Sequence, residues 1–388
     1  METNKVKSII KDNTMLIALI AITAFFGITT KGTLLVPQNI TNLISQNGYV
    51  VILAVGMLLC ILTGGNIDLS VGSIVALVGA LAGKLIVEYN VNIYLSIIIC
   101  LSAGLLLGMW QAYWIAYVRI PPFIVTLSGM LLFRGIALII LNGLTISPFP
   151  QEYLNLFNSF IPDPFKNESI NVITLIVAIL ICVFFVLSQA YKQKTRIEKG
   201  YEVKSRTSLI AITAVICVVI LALAYNLARY KGIPVILILL IAIVFLYDYY
   251  LSKTVPGRYY YALGGNEKAA ELSGINTNKV LFLAYTNMGF LSAVAALVVV
   301  ARFNSAAPTA GQSYEMDAIG SCFVGGASAY GGIGTVPGVV IGAIFMGVLN
   351  NGMSIMGIDS NIQRAVKGLV LLAAVVFDVV SKKRTKTV

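Results

Sequence analysis

The chain has 388 residues, 58% of them hydrophobic and only 11% charged, with a mean hydropathy of +0.90. A soluble domain must keep a polar surface in water, so this composition excludes one and identifies an integral membrane protein. The formal charge of +11 is therefore read through where the basic residues lie relative to the apolar runs, and not as an affinity for nucleic acid.

About 20 apolar residues cross a bilayer as a helix. Apolar runs lie near residues 15–35, 48–63, 70–88, 93–118, 123–142, 170–190, 207–228, 232–251, 280–301, 335–356 and 362–380. They predict an all-α polytopic membrane protein, a single transmembrane domain over residues 1–388 with about 10–12 membrane helices, re-entrant or broken segments included. The first run continues to about residue 30 without a clear small-residue cleavage site, so it is not read as a cleavable signal. Lys5, Lys7 and Lys11 precede the first run, and Lys382, Lys383, Arg384 and Lys386 follow the last. The positive-inside rule then puts both tails, 1–14 and 381–388, in the cytoplasm and requires an even number of crossings. The eleven runs need one more, and the glycine- and alanine-rich stretch 316–330 is the candidate, short enough to be re-entrant or a broken helix. In this register the loops at 119–122, 191–206 and 252–279 are cytoplasmic. With the tails they hold 18 of the 27 Lys and Arg, leaving the sparsely charged loop 148–168 on the other side.

Residues 63–73, TGGNIDLSVGS, are the first break in the apolar pattern. A charge at mid-membrane costs at least about 2.5 kcal/mol, so Asp68 belongs at an interface or in a wet cavity. Asp68 or Ser70 caps the helix that follows, or Asp68, Ser70 and Ser73 line a translocation path; the two roles are compatible. Glycine pairs four apart, Gly79 with Gly83, Gly104 with Gly108 and Gly338 with Gly342, suit close helix packing, in a moving bundle or in any polytopic protein. Arg134, Arg364 and Lys367 are further charges in apolar runs. They snorkel or pair with Asp317, Glu315 or a carbonyl, or else form a cation relay or contact substrate.

Residues 258–279, RYYYALGGNEKAAELSGINTNK, hold the makings of a very small helix. Asn266 can cap its start, with Gly264 and Gly265 ahead of the cap and Gly274 in the left-handed position that ends a helix. A helix this short is stable only when docked on something, either a partner or its own bundle. Farther on, residues 317–351 carry far more glycine than a lipid-facing helix needs. Irregular backbone at membrane depth must be buried in protein or line a cavity, so Gly325, Gly326, Gly331, Gly332 and Gly334 are candidates for lining the path. Gly332, Gly334 and Pro337 do not make a dinucleotide-binding loop, since no strand precedes them.

The absences point the same way. There is no histidine, hence no usual general base and no commonest metal ligand. Cys60, Cys100, Cys182, Cys217 and Cys322 all lie in apolar segments and read as small buried side chains. No GxxxxGK[ST] loop is present, and the intramembrane carboxylates of a proton-driven pump are lacking. Energy for uphill transport must then come from another chain.

Several ordered motifs carry a resemblance that covers nearly the whole chain: NIDLSVGS (66–73), PPFIVTLSGMLLFRG (121–135), ALGGNEKAAELSGIN (262–276), DAIGSCFVGGASAYGGIGTVPG (317–338) and NNGMSIMG (350–357). The chain resembles the membrane permease subunits of bacterial ABC importers for monosaccharides of the ribose, xylose and multiple-sugar type. The spans near 170 and 207 look more like the longer xylose and multiple-sugar members, while Asn66 departs from some xylose-type sequences and leaves a broader sugar range open. The resemblance implies a subunit in the cytoplasmic membrane without enzymatic activity, working as a homodimer with an ABC ATPase subunit whose nucleotide-binding domains hold ATP and Mg, and with an extracytoplasmic sugar-binding protein. No cofactor or metal is implied in this chain, and membrane lipid is its only other partner. The short helix then looks like the ATPase-coupling element, with Asn266, Glu267, Lys268, Ala269, Ala270, Glu271, Ser273 and Gly274 as its residues. In it Ala269 and Ala270 would permit close approach, and Glu267, Lys268 and Glu271 would meet polar groups at the cleft rim. An ion-coupled secondary carrier of a small organic solute is the alternative. A polytopic membrane enzyme is disfavoured by the missing acid, base and metal set.

Overall fold

The computed structural model describes residues 14–165, 170–201 and 206–386; the readings that rest on Lys5, Lys7, Lys11 and Lys204 lie outside the described residues. All eleven apolar runs are helical. In chain order the helices begin with α1 (Thr14–Thr29), α2 (Pro37–Leu62), α3 (Val71–Gly83, continued by a π-helical turn, Lys84–Glu88), α4 (Ile93–Ala116) and α5 (Pro122–Leu141). Next come α6 (Gln151–Phe157), α7 (Val172–Glu198), α8 (Arg206–Ala228), α9 (Val235–Lys253), α10 (Val255–Gly265) and α11 (Glu267–Leu272). The chain closes with α12 (Thr277–Phe303), α13 (Tyr314–Val324), α14 (Val336–Ile355) and α15 (Ser360–Lys386). Among the described residues, nine helices are long and apolar enough to cross a membrane: α2, α3 with its π turn, α4, α5, α7, α8, α9, α12 and α14. The protein is thus an all-α, multi-pass membrane protein.

Three boundaries differ from the periodicity. Helix α2 starts eleven residues before the apolar run, because polar side chains in its first turns bond back to their own helix: Thr41 Oγ1 donates to Pro37 O (3.0 Å) and Asn47 Nδ2 to Leu43 O (2.8 Å). The stretch 252–279 holds two helices where one was read, since Thr254 caps α10 by accepting from Gly257 N (3.1 Å) and Pro256 sits in its first turn. Helix α13 stops after 11 residues, and 325–335 runs on without helix, so the stretch 316–330 is a broken segment.

The described residues group into two compact units. In the larger one (residues up to 34, 43–158 and from 236) the core is built from α12, the second half of α2, and α3. These three are apolar on all sides, which suits burial inside a bundle better than one apolar stripe would. Helix α12 packs on α4 through small residues: a Cβ added at Gly289 would lie 2.5 Å from Gly104 O and 2.5 Å from Gly108 Cα. Gly338 and Gly342 of α14 meet Gly325 O and Ser321 O at the end of α13 in the same way, so two of the glycine pairs four apart bring backbone against backbone.

The smaller unit (35–42 and 159–235) is a hairpin of α7 and α8. Its base is tied by Ile161 N to Ile233 O (3.0 Å), Val235 N to Ser159 O (2.9 Å) and Asn171 N to Ala228 O (2.9 Å). Phe184, Leu187, Val215 and Val218 are exposed along it, the surface of a lipid-facing pair.

Close backbone contact makes a sharp test of the core. Gly289→Ala should destabilise the detergent-solubilised protein by about 1–3 kcal/mol, because backbone cannot rotate away from the new methyl. Gly135→Ala, where a Cβ meets nothing within 4 Å, should stabilise it by about 0.5–1 kcal/mol. Thermal unfolding of the two variants against the parent measures both.

Candidate coupling helix and translocation elements

Helix α11 is set up by its own sequence. Asn266 Oδ1 accepts from Ala269 N (3.0 Å) at its start. At its end Gly274 (φ +85°) donates to Glu271 O (2.9 Å) and Ile275 N to Ala270 O (3.1 Å), the paired bonds that close a helix through a left-handed glycine. Ser273 Oγ donates back to Ala269 O (2.8 Å). Asn276 then caps α12 by accepting from Lys279 N (2.9 Å), so the chain turns from one helix into the next with its end groups satisfied.

What fixes α11 on its bundle comes from far away in sequence. Arg119, in the loop after α4, donates to Glu267 Oε1 (2.6 Å), to Thr277 Oγ1 (3.0 Å) and to Asn278 Oδ1. One planar guanidinium thereby ties the start of α11 to the start of α12. Glu267 is therefore engaged within its own chain. Ala270, read as permitting a partner's close approach, is turned inward and is only 4% exposed. Glu267, Lys268, Ala269, Glu271, Ser273 and Gly274 are exposed, and beside them stands Leu272, 82% exposed and apolar in a polar stretch. The sequence reading passed over Leu272, although a leucine between Glu271 and Ser273 that no helical period assigns to a core was the available signal. Nothing local pointed to Arg119.

Asp68 is fully buried in the turn between α2 and α3. Its Oδ1 accepts from Ser70 N (2.8 Å) and Ser70 Oγ (2.6 Å), and Gln111 Nε2 of α4 donates to Ser70 Oγ (2.8 Å). This chain locks the entry to α3, with Ser70 as the N-cap residue, although no side chain bonds to the first amides of the helix. Ser73 is also buried. Of the glycine candidates, Gly325 packs on the backbone of Gly338, and Gly326, Gly331, Gly332 and Gly334 all have positive φ. Only glycine takes that conformation without strain, which is why the tract is so rich in it.

The charges set in the apolar runs bond to groups of the bundle, whereas the second oxygen of the buried Asp68 has no hydrogen-bond partner among the described residues. Arg134 donates to the carbonyls of Ala310 (2.5 Å), Pro308 (3.3 Å) and Gly72 (3.5 Å), holding the loop 304–313 against the start of α3. Lys367 of α15 pairs with Asp317 of α13 at 2.8 Å, and Asp317 also accepts from Tyr49 Oη (3.0 Å) and Asn350 Nδ2 (3.4 Å). Tyr49 stacks on Tyr314 with ring centres 3.9 Å apart. Arg364 reaches Gln312 Oε1 (3.5 Å). The sequence reading offered Asp317, Glu315 or a carbonyl as partners for these three cations; Lys367 takes Asp317 and Arg134 takes carbonyls, whereas Arg364 meets Gln312, which was not among them.

Span-length helices around broken, glycine-rich backbone, with one helix too short to stand alone set beside them, have the build of a membrane permease. Residues 39–375 match the family described as branched-chain amino acid transport system / permease component, and the chain belongs to that family. It is 38% identical over 370 residues to the xylose transport system permease protein XylH of Haemophilus influenzae, covering 95% of this chain and 96% of that protein. XylH of Escherichia coli K12 is 38% identical over 371 residues, covering 96% and 92% of the two chains. The ribose import permease protein RbsC of E. coli K12 is 34% identical over 373 residues, covering 96% and 95%. No solved structure matches.

The ion pair yields a test of how α13 is held. Lys367→Met leaves the Asp317 carboxylate buried without its cation and should cost about 3–5 kcal/mol in the solubilised protein. Adding Asp317→Asn should recover a large part of that loss. Thermal midpoints of the two single variants and the double variant give the coupling energy.

Proposed function

We propose that this chain is the membrane-spanning permease subunit of an ABC importer for a monosaccharide, xylose or a related sugar, driven by a separate ATPase subunit. Two observations support it. Full-length relatives at 34–38% identity are named as xylose and ribose permeases. Helix α11 is capped at both ends, pinned by Arg119 and left with Leu272 outermost.

A six-residue helix capped at both ends, with Ala270 packed inward and an exposed guanidinium across its base, is a preformed knob. A partner that closes over Leu272 desolvates an apolar side chain without having to order the helix first, which lowers the cost of binding. The partner is the ATPase subunit, which holds the ATP and Mg; this chain needs no cofactor of its own. Lys268, Glu271 and Ser273 meet the rim of the cleft, and Ala269 lets the backbone approach. A second permease copy completes the path, and an extracytoplasmic binding protein delivers the sugar. Asp68, Ser70, Ser73 and the glycines at 325, 326, 331, 332 and 334 are the elements at which the path opens. All but Gly326 and Gly332 are buried, and all but Ser73 lie where backbone irregularity concentrates, so opening there breaks fewer helical hydrogen bonds than opening along a regular helix. Both termini lie in the cytoplasm.

The knob is tested by Leu272→Asp. The variant should insert in the membrane as the parent does yet lose co-purification of the ATPase subunit, and unchanged co-purification would reject the docking role. Sidedness is tested separately in a cysteine-free background. A cysteine at Asn155 should react with an impermeant thiol reagent added outside intact cells, and one at Lys199 only after the membrane is opened. Uptake by the purified chain alone under an ion gradient would overturn the ATP-driven reading.

A further inference from the structure

Three backbone segments distant in sequence meet at one point: 62–65 at the end of α2, 264–265 at the end of α10, and 329–332 in the tract after α13. A Cβ added at Gly264 would lie 1.8 Å from Leu62 O and 2.4 Å from Gly332 N. One added at Gly65 would lie 2.0 Å from Ala329 O, and one at Gly331 would lie 2.5 Å from Gly64 Cα. Every one of these neighbours is backbone, so no rotamer change could make room. Hydrogen bonds cross the same point: Gly332 N donates to Leu62 O (3.1 Å), and Tyr261 Oη, one turn back along α10, donates to Gly334 O (3.0 Å). From the other side Ala329 N donates to Asp378 Oδ2 of α15 (3.2 Å).

The position of this contact gives it a consequence. Asn266, the cap of α11, follows Gly265 directly, so the exposed helix is attached to the contact through one peptide unit. The irregular segments 63–70 and 325–335 both run through it as well. Side chains in a packed interface can change rotamer and let two elements slide, but backbones in direct contact move together or separate.

We infer that this glycine contact is the mechanical joint through which displacement of α11 reaches both irregular segments of the bundle, with Gly264 as the positioning residue that lets the three backbones touch and Tyr261 as a second hold on the tract. The inference rests on the docking role of α11 proposed above. A shift of α10 along its axis displaces 329–332 and 62–65 in the same stroke. Without the close approach, α11 still binds its partner while the bundle no longer follows.

The test uses the assembled transporter, permease with ATPase and binding protein, in liposomes with radiolabelled D-xylose and D-ribose as probes. Gly264→Ala is compared with its neighbour Gly265→Ala, whose Cβ would meet nothing within 4 Å, and with Tyr261→Phe, which removes one hydroxyl. All three should retain the ATPase subunit and basal hydrolysis, because α11 is untouched. Gly265→Ala should transport as the parent does. Gly264→Ala should lose sugar-stimulated hydrolysis and reduce uptake per ATP by about tenfold or more. Tyr261→Phe should reduce uptake per ATP by about threefold, the worth of one hydrogen bond. Should Gly264→Ala not assemble, Tyr261→Phe decides alone, since its shape is otherwise unchanged. Unchanged uptake per ATP in Tyr261→Phe, or in an assembled Gly264→Ala, overturns the joint. Retention of the ATPase by Leu272→Asp overturns the docking role instead, so the two failures are separable.

Discussion

Backbone that leaves the helix beside a packed core must find its hydrogen-bond partners in the protein, and this constraint governs the arrangement of the larger unit. Two such segments, 63–70 and 325–335, are placed against each other so that each supplies what the other lacks. Leu62 O, at a helix end where carbonyls have no partner within the helix, accepts from Gly332 N. Gly65 and Gly331 bring the two backbones into contact that any side chain would prevent. A third irregular stretch, 304–313, is treated differently: Arg134 donates to its carbonyls and to that of Gly72. A cation that would be costly in hydrocarbon thereby serves as the donor that broken backbone requires.

The same economy of groups explains why so much polarity is tolerated in so apolar a chain. Asp317 accepts from Lys367, Tyr49 and Asn350, so the carboxylate is surrounded by donors from three helices packed on α13. Such a cluster contributes little net stability compared with a well-packed apolar core, but it specifies which elements meet, because removing one member strands the others. Helix α15 illustrates this. Much of its outer face is exposed apolar surface, with Leu369, Leu372, Val376 and Phe377 among the exposed residues, and its contacts to the broken segment include two carboxylate contacts, Lys367 to Asp317 near one end and Asp378 to Ala329 N near the other.

Legibility in the sequence followed the range of the interaction. Elements set by local chemistry were readable: the eleven apolar runs, the cap at Asn266, the stop at Gly274 and the broken stretch after residue 316. The capping reading of Asp68 was half right, since the carboxylate bonds to Ser70 and not to the first amides of α3. Contacts between residues a hundred or more apart carried no local trace. Arg119 looked like one more cytoplasmic cation, yet its guanidinium spans two helix starts. The inward turn of Ala270 and the outward turn of Leu272 could not be read from a six-residue helix, because one and a half turns are too short for a period to declare a buried face. The start of α2 was missed for a related reason: seven of its first eleven residues are polar, and their satisfaction within the helix does not register in a hydropathy profile.

The smallest helix also explains a division of labour. In the coupling role proposed for it, α11 must present the same surface in every state of its partner, so it cannot depend on that partner to fold. Helix α11 meets this demand with a cap at each end and a guanidinium across its base, all supplied by the permease. Its outward surface carries one large apolar group among small and polar ones, enough to register position without burying the area of a permanent interface. Its inner end continues through Gly265 into Gly264, where the absence of a side chain lets backbone meet backbone. Rigidity at the outer surface and direct contact at the inner one are what a short lever needs if a force applied to six residues is to be felt by segments buried in the bundle.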